Sequence, residues 1–220
     1  MLRSLVGSEM CIRDSHMSTR IIICRHGNTF DKGDIVTRVG ARTDLALSQS
    51  GKVQAEKLKQ YFNTAHSPYK FERAFCSELR RTRETAQKIL TANHPAKLLE
   101  KSFLKEIDYG VDENQPETDV VARIGKQAIT DWDSNATVPD GWHVDAEQIR
   151  ADWGAFFLEM SKIPGDVLVV TSNGIARFCL DVVDDFAIAI PSIKLATAAF
   201  GVIKCESGET KMTDWNVKAS

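Results

Sequence analysis

The chain has 220 residues, 43% of them hydrophobic and 26% charged, with a net charge of −2. Those are globular proportions, and they exclude a disordered or fibrous protein; the balanced charge offers no basic field for nucleic acid, and no apolar run approaches the ~20 residues that span a bilayer. Five scattered cysteines without a C-x-x-C pair exclude a disulfide framework and a zinc ribbon, so a reduced, cytoplasmic setting is expected.

Residues 1–16 carry no fold signal: the apolar part of Met1–Ser15 is too short for a secretory segment, and Glu9 and Asp14 do not suit a transit peptide. Ser15-His16-Met17 resembles the scar of a cleaved tag. The natural chain is therefore expected to start at Met17, after a non-native, disordered leader, with residues 17–220 forming one domain. Arg20–Cys24, with Ile21-Ile22-Ile23, reads as a strand buried on both faces. Gly27 and a polar loop to Asp44 follow. Ser48 and Ser50 are N-cap candidates for a helix with Leu58, Tyr61 and Phe62 on one face. Phe71–Cys76 is a second strand, and a helix from about Leu79 to Leu90 turns Leu79, Thr82, Ala86, Ile89 and Leu90 inward. Lys97–Leu99 reads as a short strand.

Glu106–Asp145 is polar and rich in Asp, Gly and Pro, with one helix near Asp119–Trp132; it reads as an excursion over the sheet, outside the core. Ala146–Lys162 is amphipathic, with Ile149, Trp153, Phe156, Phe157 and Met160 on one stripe, and Pro164-Gly165 ends it. Val167–Thr171 is a buried strand, Ser172-Asn173-Gly174 a tight turn, Ile175–Val183 a helix, and Ala196–Lys204 the last strand. Strands alternating with helices predict an α/β layered fold.

In open α/β sheets ligands bind beyond the carboxyl ends of the strands. Position alone then brings Arg25, His26 and Asn173 to one place. The helix starting near Leu79 adds Arg80 and Arg81 in its first turn, where backbone N–H groups and a guanidinium fork together suit an anion. Three strand ends thus converge on a phosphate or carboxylate site. Other phosphate chemistries are missing: there is no P-loop, no Cys followed six residues later by Arg, no dinucleotide glycine motif, and no pair of histidines at a metal-ligand interval. Catalysis is expected to need no metal and no cofactor.

Arg25-His26-Gly27-Asn28-Thr29 after a buried strand resembles the R-H-G signature of the histidine phosphatase superfamily, also called phosphoglycerate-mutase-like. The resemblance continues through Asp44-Leu45-Ala46-Leu47-Ser48-Gln49-Ser50-Gly51 with Gln54-Ala55. It runs on through Ser77–Ala86, where Glu78 stands for the usual proline, and through Leu104–Gly110. It implies a three-layer α/β/α fold around a mostly parallel sheet. It also implies His26 as the nucleophile that takes the phosphoryl group and Glu106 as general acid, then base. Arg25, Asn28, Arg81, Asn173 and Gly174 would be the phosphate-binding group. The expected substrate is a small phosphorylated metabolite, and inorganic phosphate or sulfate is expected to occupy the same site.

The chain departs from the pattern where a histidine usually follows the VLVVT-type strand: here Ser172-Asn173-Gly174 keeps a hydrogen-bond donor but no titratable cation. Three functions stay open at this point: a phosphomonoesterase, a phosphate-binding module with weak turnover, and a mutase.

Overall fold

The computed structural model describes residues 18–91 and 93–219; the leader expected at 1–16 lies outside them. The triple isoleucine becomes the middle of a seven-stranded sheet. β1 (Ser18–Arg25) pairs in parallel with β4 (Gly165–Thr171) and antiparallel with β6 (Ala199–Glu206). Outward from β4 lie β2 (Phe71–Cys76) and β3 (Leu98–Glu100), both parallel to it. Beyond β6 lie β7 (Glu209–Lys218) and β5 (Asp185–Phe186), giving the order β3-β2-β4-β1-β6-β7-β5.

Ile21, Ile22 and Ile23 are fully buried, and alternation sends them to opposite faces. Ile22 packs with Leu58, Phe62 and Ile89, beneath α1 (Gln49–Phe62) and α2 (Arg80–Ile89). Ile21 and Ile23 pack with Trp153, Phe156 and Phe157 of α4 (Ala146–Ser161). The fold is therefore the expected three-layer α/β/α, and each fully buried isoleucine contributes roughly 1.5–3 kcal/mol.

Three expectations change. Ala196–Lys204 is not the last strand: Ser207 and Gly208 take positive φ (55° and 85°), close a hairpin and lead into β7. The segment Ile175–Val183 is not a regular helix. α5 covers only Asn173–Ala176, so Asn173 and Gly174 open a helical turn, and a 3-10 stretch follows over Arg177–Val182. The excursion is not outside the core. α3 (Glu117–Asn135), broken at Gly125 (φ 85°), buries Val120 and Trp132, and the following loop buries Trp142. The Trp132 and Trp142 rings meet edge-on at 5.3 Å, and Trp142 meets Tyr109 at 4.6 Å. A few large aromatic side chains cover the sheet end, so a segment with little apolar periodicity still carries core. Among the described residues no helix is long and apolar enough to cross a membrane.

Candidate active site

The loop after β1 is held from three sides, and the sequence motifs are what hold it. Backbone N–H of His26 donates to Thr171 O at 3.1 Å, joining the ends of β1 and β4. Gly27 N–H donates to the Thr85 hydroxyl on α2, and Asn28 N–H to Gln54 Oε1 on α1. Ser48 caps α1 through Gly51 N–H. A Cβ at Gly51 would lie 2.0 Å from Asn28 O, and one at Gly27 would lie 2.6 Å from Gly51 O, so both glycines permit close backbone approach. Asp44 accepts from Arg80 N–H at 2.7 Å. The first N–H of α2 is thus satisfied by this protein's own carboxylate and is not the free anion trap expected from sequence.

A cavity of 340 Å³ opens at these strand ends. His26, Arg25, Arg81, Glu106 and Asn173 line it, so four distant segments meet as expected. Arg81 is 1% exposed and lines the cavity, whereas Arg80 faces solvent beside Glu84. Asn28 is not among the lining residues: its side-chain amide donates to Ser50 Oγ at 3.2 Å. Gly174 lies beneath the cavity, where its N–H donates to Glu106 Oε2 at 3.3 Å.

The His26 ring places Nδ1 2.7 Å from Gly27 O. A carbonyl only accepts, so Nδ1 carries the proton and Nε2 keeps its lone pair. Burial, then the fields of Arg81 and Arg25, hold this imidazole well below its usual 6.5, so it is neutral near pH 7. Burial lifts the Glu106 carboxyl above its usual 4.5, against Arg81, its bonds from Ile107 and Gly174 N–H, and Arg25. The site thus pairs an unprotonated nitrogen with a carboxyl raised toward neutrality.

Arg81 donates from Nη1 to Thr43 O and from Nη2 to Gly40 O; Arg25 donates from Nη1 to Leu195 O. The Nε of each guanidinium is buried without a partner, as is the Ser172 hydroxyl. Orphaned buried donors are rare in folded proteins; four of those among the described residues, on Arg25, Arg38, Arg81 and Arg177, belong to side chains that line this cavity, which suits an anion. Asn173 Oδ1 accepts from Leu195 N–H at 2.7 Å, which fixes the amide so that its NH2 end is the half left for the cavity.

A Cβ at Gly174 would fall 2.2 Å from Glu106 Oε1 and 3.2 Å from Ile107 Cγ1. Glycine here makes room for the carboxyl rather than for an incoming anion, which corrects the sequence reading. Gly174→Ala is expected to keep the fold and lower kcat by about 10²-fold, because a carboxyl displaced by about 1 Å misses its proton. An unchanged kcat would show that Glu106 tolerates the shift.

Sequence reasoning missed Arg38, Tyr109, Trp132, Arg177 and Lys194, which line the rest of the cavity. Arg177 is 1% exposed; its Nε donates to Asn173 O at 3.3 Å, its Nη1 donates to Trp132 O, and its Nη2 has no hydrogen-bond partner. The spacing of four from Asn173 on a helical segment was the available signal.

Residues 21–218 match the histidine phosphatase superfamily (branch 1). The chain belongs to this family. Its fold is shared with a phosphoglycerate mutase from Bacillus anthracis at 19% identity and TM-score 0.72, covering 90% of this chain and 93% of that one. It is shared with an alpha-ribazole phosphatase from Shigella flexneri at 17% identity and TM-score 0.68, covering 91% and 97%. A mycobacterial glucosyl-3-phosphoglycerate phosphatase in complex with inorganic phosphate aligns at 18% identity and TM-score 0.67, covering 91% and 98%. No curated protein matches the sequence. Members of this superfamily with these folds include phosphatases and a mutase, and the identities are low enough that the likeness to each is one of fold.

Proposed function

We propose that this histidine phosphatase family member is a metal-independent phosphomonoesterase acting on a small phosphorylated substrate through a phosphohistidine. The observation that carries the reading is that neutral His26, with Nδ1 engaged by Gly27 O and Nε2 left free, shares one cavity with two guanidiniums that keep orphaned donors and with a carboxyl of raised pKa. His26 Nε2 attacks phosphorus while the ester P–O bond breaks, and Glu106 gives its proton to the departing oxygen. Water then attacks the phosphohistidine, the P–N bond breaks, and Glu106 takes the water proton, releasing phosphate. Arg25 and Arg81 stabilise the phosphoryl oxygens throughout, which is where most of the catalysis of phosphoryl transfer comes from. The phosphate complex of the mycobacterial relative supports phosphate as an occupant of this site.

Hydrolysis of p-nitrophenyl phosphate, unchanged by EDTA, with alkali-stable and acid-labile phosphate trapped on the protein, is the expected result. Binding of phosphate without turnover would instead favour a phosphate-binding module weakened by Asn173.

Glu106→Gln is expected to slow hydrolysis of alkyl phosphates by about 10²–10⁴-fold and of the nitrophenyl ester much less, since nitrophenolate leaves without protonation. The raised Glu106 pKa keeps the acid protonated to higher pH, so the kcat/KM of an alkyl ester falls as pH rises through that pKa. The lowered His26 pKa puts the acid limb below 6.5. Loss of the alkaline limb in Glu106→Gln checks the assignment.

Asn173 is read as a phosphoryl donor through its amide NH2. Asn173→Ala should raise the phosphate inhibition constant by about tenfold, for one lost donor to a charged oxygen. Asn173→His should keep binding and add a titration near 6.5. Inhibition constants unchanged in both variants would leave Asn173 a purely structural residue.

A further inference from the structure

Arg25 and Arg81 account for one phosphoryl group, since two guanidinium forks match the roughly two negative charges of a phosphomonoester. A second set of charged side chains lines the same cavity: Arg38, Arg177 and Lys194, with Glu117 and Asp133 of α3. Three cations stand there against two carboxylates, and the ion pairs leave a remainder. Arg38 Nη2 donates to Glu117 Oε2 at 2.5 Å, and Lys194 Nζ donates to Asp133 Oδ2 at 2.6 Å. Arg177 has only a share in Asp133: its Nη2 stands 3.8 Å from Oδ1, too far for a hydrogen bond. One positive charge is left unmatched.

The unmade hydrogen bonds lie in the same place. Arg177 Nη2 and Arg38 Nε are buried without a hydrogen-bond partner. The Arg177 side chain is fully buried and held in position by its other nitrogens: Nε donates to Asn173 O and Nη1 to Trp132 O, with the guanidinium 4.2 Å over the Trp132 ring. Arg38 stands 5.2 Å from the Trp142 ring centre, and the Trp132 and Trp142 rings meet edge-on at 5.3 Å. The two guanidiniums thus flank one pair of tryptophans. A buried cation with an unmade donor is costly, and an acceptor that carries negative charge relieves both terms at once.

Resting on the phosphatase reading above, we propose that the substrate carries, on its leaving group, a second anion of single charge, in the simplest case a carboxylate, and that Arg177 with Arg38 selects for it. One anionic oxygen accepts from Arg177 Nη2 and another from Arg38 Nε, so each orphaned donor gains a charge-assisted hydrogen bond. A hydroxyl in that position would accept the same bonds and leave the positive charge unmatched. A second phosphomonoester would bring about two negative charges and set the excess against Asp133 and Glu117. Lys194 acts through Asp133: by engaging Oδ2 it weakens that carboxylate's hold on Arg177 and keeps the sum of charges positive.

3-Phosphoglycerate and glycerol phosphate of the same configuration differ only in a carboxylate against a CH2OH group, so the ratio of their kcat/KM values reads this selection directly. The wild-type enzyme should favour 3-phosphoglycerate by about tenfold or more, the worth of one charge-assisted hydrogen bond. Two substitutions at partly exposed positions move the charge in opposite directions: Asp133→Asn should raise the ratio and Lys194→Met should lower it, each by about three- to tenfold. Arg177→Met should bring the ratio close to one, with thermal unfolding reporting whether the fold persists; if it does not, the Asp133 and Lys194 variants carry the test. A wild-type ratio at or below one, or a ratio that Asp133→Asn and Lys194→Met leave unmoved or shift the other way, would overturn the proposal. Failure of the wild type to turn over p-nitrophenyl phosphate would count against the phosphatase reading alone. Where that reading fails, or neither ester is turned over, calorimetric dissociation constants of the same two ligands read the selection, and equal, weaker or absent binding of 3-phosphoglycerate overturns the inference.

Discussion

Replacing His26 with alanine is expected to abolish both the trapped phosphoprotein and turnover, with a loss on the order of 10⁴-fold or more. The fold should survive, because the one side-chain hydrogen bond lost is that from Nδ1 to the neighbouring Gly27 carbonyl. The other described histidines give no substitute, and the exposed His66 lies away from the cavity lining. His94 is buried beside Phe71 and accepts from its N–H, and His143 lies on Asp108; neither lines the cavity. Thermal unfolding of the variant separates loss of nucleophile from loss of fold, and wild-type turnover in a folded His26→Ala protein would refute the mechanism.

Arg81→Ala should lower kcat/KM by about 10²–10³-fold and weaken phosphate inhibition in parallel, whereas Arg80→Ala should change neither appreciably. The contrast follows from burial: Arg81 lines the cavity, while Arg80 pairs with Glu84 at 3.6 Å in solvent, an arrangement worth roughly 0.3–0.5 kcal/mol. Arg81 also ties down the loop of Gly40 and Thr43, so its removal should reduce stability by about 1–3 kcal/mol as well. Arg81→Lys keeps the charge but lacks the planar fork. Partial recovery of phosphate inhibition with Lys would assign the effect to the anion site, and its absence together with lost stability would assign it to the loop.

Much of the site was legible because it sits where local rules act. A β-branched run ending in Arg25-His26-Gly27, and a second ending at Thr171, place their next residues at the carboxyl edge of a parallel sheet whatever the rest of the chain does. Adjacent residues on a helix differ by about 100°, so only one of Arg80 and Arg81 can face inward, and the resemblance to the family pointed to Arg81. The motifs around Gly51, Thr85 and Gly110 were recognisable as patterns. Their purpose became visible only in the structure: Gly51 and Thr85 clamp the loop after β1, and a Cβ at Gly110 would strike Gly141 O at 1.8 Å.

What failed depended on partners far along the chain. β7 has polar residues throughout, and only Met212 and Trp215 are buried, so no alternation announces it; it exists because β6 offers an edge to pair with. Asn173 looked like a turn residue, yet it opens a helical turn because Leu195 N–H holds its side chain and Glu106 fills the space beside Gly174. The sequence by itself determined that β1 is buried on both faces and that Arg25, His26 and Asn173 stand beyond the carboxyl ends of two neighbouring strands, because strand burial is a local property. Tertiary structure alone decided that Arg177, Lys194 and Arg38 line the same cavity and that Glu117 pairs with Arg38 and Asp133 with Lys194, while Arg177 Nη2 keeps no hydrogen-bond partner. Ion pairing depends on which segments approach within a few ångströms, and between Arg38 and Glu117, or Asp133 and Lys194, no local periodicity carries that information.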